Sequence, residues 1–369
     1  MTGRPFTWDA VVVGGGPAGA IAAMRLAPKH RVLVLERAAA PAPRIGESLP
    51  PACRPLLRDL GLLERMDVHR PYLGNRSLWG GGPATHDFLR DPQGPGWHLD
   101  RAAFDDMLMA AATEAGTTLW RCVTLRAATR LAGGWGLVTS HGHRIRCRVL
   151  VDASGRSAAL CRRLGAQRQV LDRLTAVYCR FRPGSATSTD GFSRIEAAAD
   201  GWWYTAPLPA GGRVAAYHTD SDRPAIRDLG KASGFLSALA QTRMIAPELG
   251  LERARIADGP HVVPAHSARS VPPTGDGWVA VGDAALALDP LSSQGLFNAL
   301  FTGMAGGDAA AAILANDGKA GHAYANRIAE IHAAYTSNLA DFYGAEAVLH
   351  EGAFWARRMP APRQAMAGA

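Results

Sequence analysis

Three glycines near the start of the chain have the spacing of a dinucleotide-binding turn: Gly14, Gly16 and Gly19. They lie between an apolar run over residues 9–13 and a helix-like segment over 17–26. Glycine lets the backbone approach a pyrophosphate, which the unpaired N–H groups and the dipole of a helix N-terminus stabilise. Glu36 follows the next apolar run, where its carboxylate can accept hydrogen bonds from two ribose hydroxyls. We therefore predict that this turn binds the ADP half of a dinucleotide.

A second turn of this kind lies far along the chain. Asp283 follows the apolar run 278–281, and the segment 289–296 then leads into an alanine-rich, helix-like stretch. The N-terminus of such a helix stabilises negative charge, and reduced flavin carries its negative charge near N1 and the C2 carbonyl. An aspartate at the end of the preceding strand can accept hydrogen bonds from ribityl hydroxyls. These features favour FAD over NAD, which has the same ADP half.

The elements that must position these two turns come from both ends of the chain. A strand–helix–strand pattern opens the sequence and returns after residue 277, whereas residues 170–264 carry short alternating segments that are typical of an antiparallel sheet. We predict an α/β fold in which a Rossmann-type FAD-binding domain is interleaved with a mostly antiparallel substrate-binding sheet domain, with helices at the C-terminus. The predicted FAD-binding domain comprises residues 1–70, 96–168 and 265–369, and the substrate domain comprises 71–95 and 169–264.

Composition disfavours several other classes of protein. The 369 residues are 47% hydrophobic and 20% charged, which is typical of a globular chain. No apolar run reaches the roughly 18 residues of a membrane-spanning helix, and residues 1–8 lack a signal-peptide core, so we expect a cytoplasmic protein without membrane insertion. The net charge of +8 comes from dispersed arginines, so no nucleic-acid partner is expected. Five scattered cysteines without a Cys-x-x-Cys pair indicate reduced thiols and no metal site.

Five ordered motifs resemble the FAD-dependent monooxygenases of the para-hydroxybenzoate hydroxylase fold, in the branch with the flavin-dependent tryptophan halogenases and the monooxygenases that mature quinone cofactors. Residues 14–19 match the ADP motif of this family, and 44–49 (RIGESL) are similar to its flavin-side loop. Residues 97–105 (WHLDRAAFD) are similar to the helix start of this family, 151–156 (VDASGR) to its second nucleotide-contact motif, and 282–295 to its ribityl and isoalloxazine motif. The resemblance covers nearly the whole chain.

The resemblance implies which residues contact FAD. In the family, an arginine of the flavin-side loop, an arginine of the helix start and the aspartate after the late strand contact the cofactor, and the backbone near Val123 meets the adenine. The predicted cofactor-binding residues are Gly14, Gly16, Gly19, Glu36, Arg37, Arg44, Arg101, Val123, Asp152, Asp283, Gly295 and Leu296. Alternatives are a surface role for Arg44 and Arg101 and a turn or cap role for Asp152.

The implied reaction needs no nucleophile from the protein. In the family, reduced FAD reacts with O2 to give a C4a-hydroperoxide that an electron-rich ring attacks, so the protein holds the ring, excludes water and stabilises flavin charge. The predicted catalytic residues are Pro290, beside the reactive edge of the flavin, and Glu47, for which a capping role is the alternative. Because no second Gly-x-Gly-x-x-Gly motif is present, electrons would come from transiently bound NAD(P)H or from a separate flavin reductase.

Two departures from the halogenase branch favour hydroxylation. The halogenases use an active-site lysine and a Trp-x-Trp-x-Ile-Pro stretch, whereas this chain has lysine only at positions 29, 231 and 319 and reads WWYTAP over 202–207. We predict an FAD-dependent monooxygenase that hydroxylates an electron-rich aromatic ring. The alternatives are a flavin-dependent halogenase or hydroxylase of a small natural-product intermediate, a flavin-dependent reductase, and a flavoprotein chaperone of a precursor protein.

The substrate is expected to be a tryptophan in a peptide or protein, or an aromatic small molecule. Residues 201–209 and 289–295 look most like the subgroup that hydroxylates a peptidyl tryptophan, in which case a precursor protein would be a partner. Five residues of the predicted substrate sheet are candidates for an aromatic pocket, with core packing as the alternative: Trp79, Trp202, Trp203, Tyr204 and His218.

Overall fold

The described residues are 8–184 and 190–359 of a computed structural model. The ends of the predicted domains, at 1–7 and 360–369, lie outside them. The strands, in chain order, are β1 (Trp8–Val13), β2 (Val32–Leu35), β3 (Ser48–Leu49), β4 (Arg70–Tyr72), β5 (Gly74–Trp79), β6 (Gly82–Asp87), β7 (Gly96–His98), β8 (Thr118–Trp120), β9 (Leu125–Leu131), β10 (Gly134–Thr139), β11 (Arg144–Asp152), β12 (Gln167–Val170), β13 (Leu174–Phe181), β14 (Phe192–Ala198), β15 (Gly201–Pro207), β16 (Arg213–Asp220), β17 (Ile256–Pro264), β18 (Ala268–Val271), β19 (Thr274–Gly275), β20 (Trp278–Ala280) and β21 (Leu286–Ala287). The helices are α1 (Pro17–Leu26), α2 (Cys53–Asp59), α3 (Arg101–Glu114), α4 (Ala159–Arg163), α5 (Ile226–Leu229), α6 (Ala232–Leu239), α7 (Ile245–Leu249), α8 (Gly295–Leu314), α9 (Ala320–Ala347) and α10 (Ala353–Ala356).

The chain forms two compact units, each assembled from three separate stretches. The first unit comprises Met1–Val68, Leu99–Asp172 and His266–Ile331. The second unit comprises His69–His98, Arg173–Ala265 and His332–Ala369.

A parallel sheet forms the centre of the first unit. Its strands lie in the order β20-β11-β1-β2-β8, with β19 antiparallel at one edge and an antiparallel extension of β11 made by β10 and β9. All four residues of β2 are buried, as expected for a central parallel strand with both faces covered. Helix α1 packs against α3 and α8.

Glycines allow α8 to approach its neighbours closely. A Cβ atom at Gly306 would lie 2.3 Å from Cγ1 of Val281, and one at Gly303 would lie 2.7 Å from the carbonyl oxygen of Ala18 in α1. Neither distance is compatible with a real side chain. Gly303 therefore allows α8 to lie against α1, and Gly306 allows it to lie against the residue that follows β20.

A seven-stranded sheet forms the centre of the second unit. Its order is β17-β13-β16-β15-β14-β5-β6, and every pair is antiparallel except β14 with β5. One face packs against the short helices α5, α6 and α7 through a buried apolar cluster that includes Trp203, Phe235 and Ile245. Strands β4 and β7 form a separate antiparallel pair.

The end of the chain belongs to the second unit from residue 332, whereas the sequence prediction placed all of 265–369 in the FAD-binding domain. The physical reason is a set of tryptophan contacts. Nε1 of Trp79 donates a hydrogen bond to the carbonyl oxygen of Phe342 at 2.8 Å, and Nε1 of Trp202 donates to the hydroxyl of Tyr343 at 3.0 Å. These contacts attach the second half of α9 to the antiparallel sheet.

The predicted fold class is confirmed, with a Rossmann-like parallel sheet, an antiparallel sheet and helices at the C-terminus. None of the helices within 8–184 and 190–359 is long and apolar enough to cross a membrane.

Candidate FAD-binding site

The two turns predicted from the sequence meet at one edge of the parallel sheet. Val13 of β1 is in register with Asp152 of β11, which is in register with Ala280 of β20. The carboxyl ends of three adjacent parallel strands therefore lie side by side, where open α/β sheets bind their ligands. Gly282, in the late turn, has a φ of +57°, and a Cβ there would lie 2.7 Å from Cβ of Ala18 in α1.

The three glycines of the early turn have different structural roles. Gly14 has a φ of +111°, and a Cβ there would lie 2.3 Å from the carbonyl oxygen of Ala153. A Cβ at Gly19 would lie 2.0 Å from the carbonyl oxygen of Gly14, so both glycines are required by the packing of the backbone. A Cβ at Gly16 would meet no heavy atom within 4 Å in the described part of the chain. Gly16 thus leaves open the space that a pyrophosphate would occupy at the N-terminus of α1.

Glu36 lies beside this turn, at the end of β2. Its Oε2 accepts a hydrogen bond from the backbone N–H of Gly15 at 2.6 Å, and its Oε1 accepts from that of Ala38 at 2.8 Å. A carboxylate oxygen has a second lone pair, so a ribose hydroxyl can still donate to this group. The N–H of Val123 donates to the carbonyl oxygen of Glu36 at 2.9 Å, which places the predicted adenine contact next to the predicted ribose contact. The side chain of Arg37 is exposed.

Arg101 is buried and is not a surface arginine. Its hydrogen bonds join helix α3 to the flavin-side loop. Its Nη1 donates to the carbonyl oxygens of Ile45 and Gly46, at 3.2 and 3.0 Å, and its Nη2 donates to Oδ1 of Asp105 at 3.2 Å. Its Nε is buried and has no hydrogen-bond partner among residues 8–184 and 190–359. Arg44 is half exposed, with its Nε 3.5 Å from Oδ2 of Asp105.

Glu47 is buried within the same loop, with 2% of its surface exposed. Its Oε2 accepts a hydrogen bond from the backbone N–H of Gly46 at 3.0 Å, and its carbonyl oxygen accepts one from the N–H of Leu99 at 2.7 Å. The first contact is local to the loop, and both the catalytic role and the capping role of Glu47 stay predictions. A carboxylate in this position is nevertheless held next to the loop that would border the flavin.

The late turn leads into α8 through a short 3-10 turn, Pro290–Ser292. Oδ1 of the buried Asp289 accepts a hydrogen bond from the N–H of Leu291 at 2.8 Å, which fixes the turn and leaves Pro290 exposed. Helix α8 begins at Gly295, whose Cβ position meets no heavy atom within 4 Å in the described residues. Leu296 is buried under this helix start.

The two predicted aspartates, Asp152 and Asp283, differ in burial and in hydrogen bonding. The carboxylate of Asp152 is fully buried and accepts hydrogen bonds from the N–H groups of Ser154, Leu160 and Cys161, at 2.9, 3.1 and 2.7 Å. These contacts are the turn role that was its alternative. The Asp283 side chain is 32% exposed and has Nε of Arg156 at 3.4 Å from its Oδ2. Of the two, Asp283 is therefore the one available to a ligand.

The predicted substrate residues are mostly held in packing contacts within the second unit. Trp202 is 1% exposed and stacks on His218 with ring centroids 3.7 Å apart, and Trp203 packs on Phe235 in the apolar cluster beneath the helices. Burial lowers the pKa of His218 to about 3, so this ring is neutral near pH 7. Tyr204 is half-buried and faces the opposite side of β15 from Trp203. Trp79 is half-buried and donates to the chain near the end of α9.

Two arginines at the late turn were not among the predicted site residues: Arg156 and Arg168. Arg156 ends the VDASGR motif, so the motif itself could have identified it. Arg168 lies in a segment without any recognisable pattern, and only the folded chain brings it to the turn. Among the described residues, no group of three or more His, Cys, Asp or Glu side chains is arranged to hold a metal ion.

A glycine turn open at Gly16, a carboxylate at the ribose position and a second helix start at the same sheet edge define a dinucleotide-binding protein whose site fits FAD. The sequence profile of the tryptophan halogenase family matches residues 9–70 and 86–362. The chain belongs to the tryptophan halogenase family and is an enzyme of the FAD-dependent oxidoreductase type.

Individual relatives agree with this assignment. The chain is 33% identical to a putative FAD-dependent oxidoreductase, LodB, of Marinomonas mediterranea, over 95% of this chain and 97% of the relative. Among solved structures it is similar to the myxobacterial chondrochloren halogenase CndH, with a TM-score of 0.88, 25% identity and coverage of 98% and 87% of the two chains. It is also similar to the peptidyl tryptophan dihydroxylase QhpG, with a TM-score of 0.77, 25% identity and coverage of 98% and 81%. The finer assignment to the para-hydroxybenzoate hydroxylase fold stays a prediction.

Proposed function

We propose that this enzyme is an FAD-dependent monooxygenase that hydroxylates a tryptophan in a peptide or protein. NAD(P)H or a separate flavin reductase would supply the electrons, and O2 would be the co-substrate. The proposal combines the family membership of the chain with its likeness to a peptidyl tryptophan dihydroxylase. Its likeness to LodB over nearly the full length of both chains adds support for an oxidoreductase.

The placement of the lysines is the observation that favours hydroxylation over halogenation. The chain has only three lysines, Lys29, Lys231 and Lys319, and all three are exposed. Lys231 pairs with Asp228 at 3.0 Å, and 68% of its side chain is exposed. None of the three lies between the flavin-side loop and Trp97, or in the late turn. The absence of a lysine from these segments of the sequence disfavours the lysine-dependent halogenation that the resemblance describes.

The protein's own residues would bind and orient the cofactor. The N–H groups at the start of α1 would hold the pyrophosphate, Glu36 the ribose, and the backbone at Val123 the adenine. Asp283 would accept hydrogen bonds from the ribityl chain, and the N-terminus of α8 would face the end of the flavin that becomes negative on reduction. When bound, FAD would supply the electron transfer and the activation of O2.

Two other residues would act at the reacting end of the site. Pro290, exposed in the turn before α8, has no N–H and would border the substrate side of the flavin without a competing hydrogen-bond donor. The buried Glu47 would hold its loop closed over the ring, since its carboxylate and its carbonyl oxygen both accept backbone hydrogen bonds. Both residues would restrict access of water to the reacting atoms.

Mass spectrometry of a tryptophan-containing peptide tests the proposal. The protein is loaded with FAD, reduced through a flavin reductase and NAD(P)H, and exposed to O2 with and without bromide or chloride. The expected result is peptide that gains oxygen atoms whether or not halide is present. Product that contains halogen, and forms only with halide, would contradict the hydroxylation.

Halogenation is the second candidate, because the matched family and the chondrochloren halogenase both point to it.

The same experiment separates two further alternatives. Turnover without O2 would indicate a reductase. A stable complex with a precursor protein that consumes no O2 would indicate a chaperone.

A further inference from the structure

Several carbonyl oxygens of the segment from Asp283 to Leu288 accept hydrogen bonds from other parts of the first unit. The N–H of Ser270 donates to the carbonyl oxygen of Ala285 at 2.9 Å, and Nδ2 of Asn298 donates to that of Leu286 at 2.8 Å. Further carbonyl contacts come from the side chains of Arg156, Arg168 and Ser270. This segment carries Asp283, so its donors determine where that carboxylate lies.

Arg156 joins its own turn to three points in the stretch His266–Ile331. Its Nη2 donates to the carbonyl oxygen of Leu288 at 3.0 Å, its Nη1 donates to that of His266, and its Nε lies 3.4 Å from Oδ2 of Asp283. A planar guanidinium with five N–H groups can make these three contacts at once, whereas an ammonium group cannot reproduce their geometry.

Arg168 reaches the same segment from β12. Its Nη2 donates to the carbonyl oxygen of Asp283 at 2.8 Å, and its Nη1 donates to that of Ala284 at 3.1 Å and to Oγ of Ser270 at 3.2 Å. Oγ of Ser270 in turn donates to the carbonyl oxygen of Ala284 at 2.6 Å. Burial lowers the pKa of Arg168 from its usual range, so the fold keeps a cation here at a cost in solvation.

Two positive charges next to one carboxylate have a clear electrostatic effect. Asp152 is a second carboxylate that acts on Arg168, but each arginine by itself places a positive charge at the late turn. A ligand that becomes anionic on reduction is stabilised more in its reduced form than in its oxidised form by such a charge, and exclusion of water strengthens the effect. Without the arginines, Asp283 would oppose the same charge.

We propose that Arg156 and Arg168 are positioning residues that fix Asp283 for the ribityl chain and raise the reduction potential of bound FAD. The inference rests on the proposed role of Asp283 in holding FAD. It is independent of whether the reaction that follows is hydroxylation or halogenation.

The test compares three glutamine variants of the full chain: Arg156→Gln, Arg168→Gln and the control Arg162→Gln. Arg162 is exposed on α4 and close to Arg156 in sequence, and within the described residues no hydrogen bond or ion pair joins its side chain to the late turn. FAD dissociation constants are measured by quenching of flavin fluorescence, and potentials by equilibration with a reference dye. We expect Arg156→Gln and Arg168→Gln to bind oxidised FAD about tenfold more weakly than the control.

The potential distinguishes positioning from general structural damage. If reduced flavin loses a further tenfold in affinity, the two-electron potential falls by about 30 mV. The Arg156→Lys variant should recover the potential but not the full affinity, because it restores the charge without the fork of donors. Where a glutamine variant does not fold, the lysine variant of the same residue replaces it in the test. We expect the lysine variants to bind FAD about threefold more weakly than the control.

Affinities within twofold of the Arg162→Gln control, with unchanged potentials, would overturn the inference. An Asp283→Ala variant measured in parallel separates this failure from a failure of the proposed site. If Asp283→Ala binds FAD normally, the role of Asp283 is wrong. If Asp283→Ala binds FAD weakly while both arginine variants bind normally, only the positioning role is wrong.

Discussion

The turn edge of the first unit and the antiparallel sheet of the second unit both carry residues that the sequence marked as functional, but their surroundings differ. At the turn edge, Gly16, Glu36 and Asp283 leave space or acceptors for a ligand. In the sheet, Trp202 and Trp203 are 1% and 2% exposed and contact other side chains of their own unit. The residues of the turn edge were predicted from their spacing along a turn. The two tryptophans were predicted from the type of their side chains alone.

The largest effect that tests this difference is expected at Trp203. Trp203→Ala should lower the free energy of unfolding by about 3–5 kcal/mol, because it removes a large side chain from the cluster with Phe235. Urea denaturation measures the change. A Trp203→Ala variant as stable as the unsubstituted protein would contradict the packing role and support Trp203 as a substrate residue.

The next prediction compares the effects of alanine at two glycines of the early turn, Gly19 and Gly16, on stability and on FAD binding. Gly19→Ala should destabilise the protein without FAD by about 3 kcal/mol, because its Cβ would lie 2.0 Å from the carbonyl oxygen of Gly14. Gly16→Ala should leave that stability within about 0.5 kcal/mol but weaken FAD binding, because the methyl group enters the ligand's space. Thermal unfolding and an FAD titration give the two readouts. Equal FAD binding by Gly16→Ala and the unsubstituted protein would show that the pyrophosphate does not lie at this turn.

A smaller effect compares the two aspartates. Asp283→Ala should weaken FAD retention about tenfold with little change in the stability of the protein without FAD, as expected for the loss of a hydrogen bond to ligand. Asp152→Asn should mainly lower stability, because its carboxylate accepts three buried N–H groups. The yellow flavin absorbance of purified protein and its melting temperature report the two outcomes. Unchanged flavin content in Asp283→Ala would count against its assigned role.

The smallest expected effect is a pH dependence of the free energy of unfolding, which is caused by His218 in the second unit. The pKa of His218 is about 3 in the fold, against 6.5 for an ordinary histidine, because burial disfavours the charged ring. The unfolded chain therefore binds more protons below about pH 6.5, and stability falls as the pH decreases toward 3. Between about pH 7 and pH 6 the expected loss is about 0.7 kcal/mol.

A His218→Phe variant is the control for this dependence. It keeps an aromatic ring against Trp202 and cannot be protonated, so its stability should fall less steeply over the same pH range. Identical slopes for the two proteins, measured by urea denaturation at each pH, would show that His218 does not contribute.

The sequence was sufficient for the parts of the fold that are local or periodic. The glycine spacing at 14–19 and the apolar runs before and after it predicted β1, α1 and β2, because a strand, a tight turn and a helix are encoded within one short stretch. The return of the same pattern after 277 predicted β20 and α8. The middle of the chain was predicted as antiparallel sheet from alternation alone, and the seven-stranded sheet agrees.

Side-chain partners that are distant in sequence were not predictable in the same way. Nothing near Trp79 or Trp202 indicates that their N–H groups bond to Phe342 and Tyr343, more than 100 residues away. These bonds place the last part of the chain in the second unit instead of the FAD-binding domain. Asp152 is a further example, since its motif implied a nucleotide contact and its carboxylate is used by the following turn.

The sequence by itself determined that this protein has a dinucleotide turn, a second turn suited to flavin and an interleaved sheet, because backbone conformation and burial impose spacing rules on residue types. Only the tertiary structure decided which side chains remain available there. Arg156 reaches Asp283 from the turn after β11, and Arg168 reaches it from β12. Hydrogen bonding and burial depend on neighbours that folding brings together, and residue spacing does not record them.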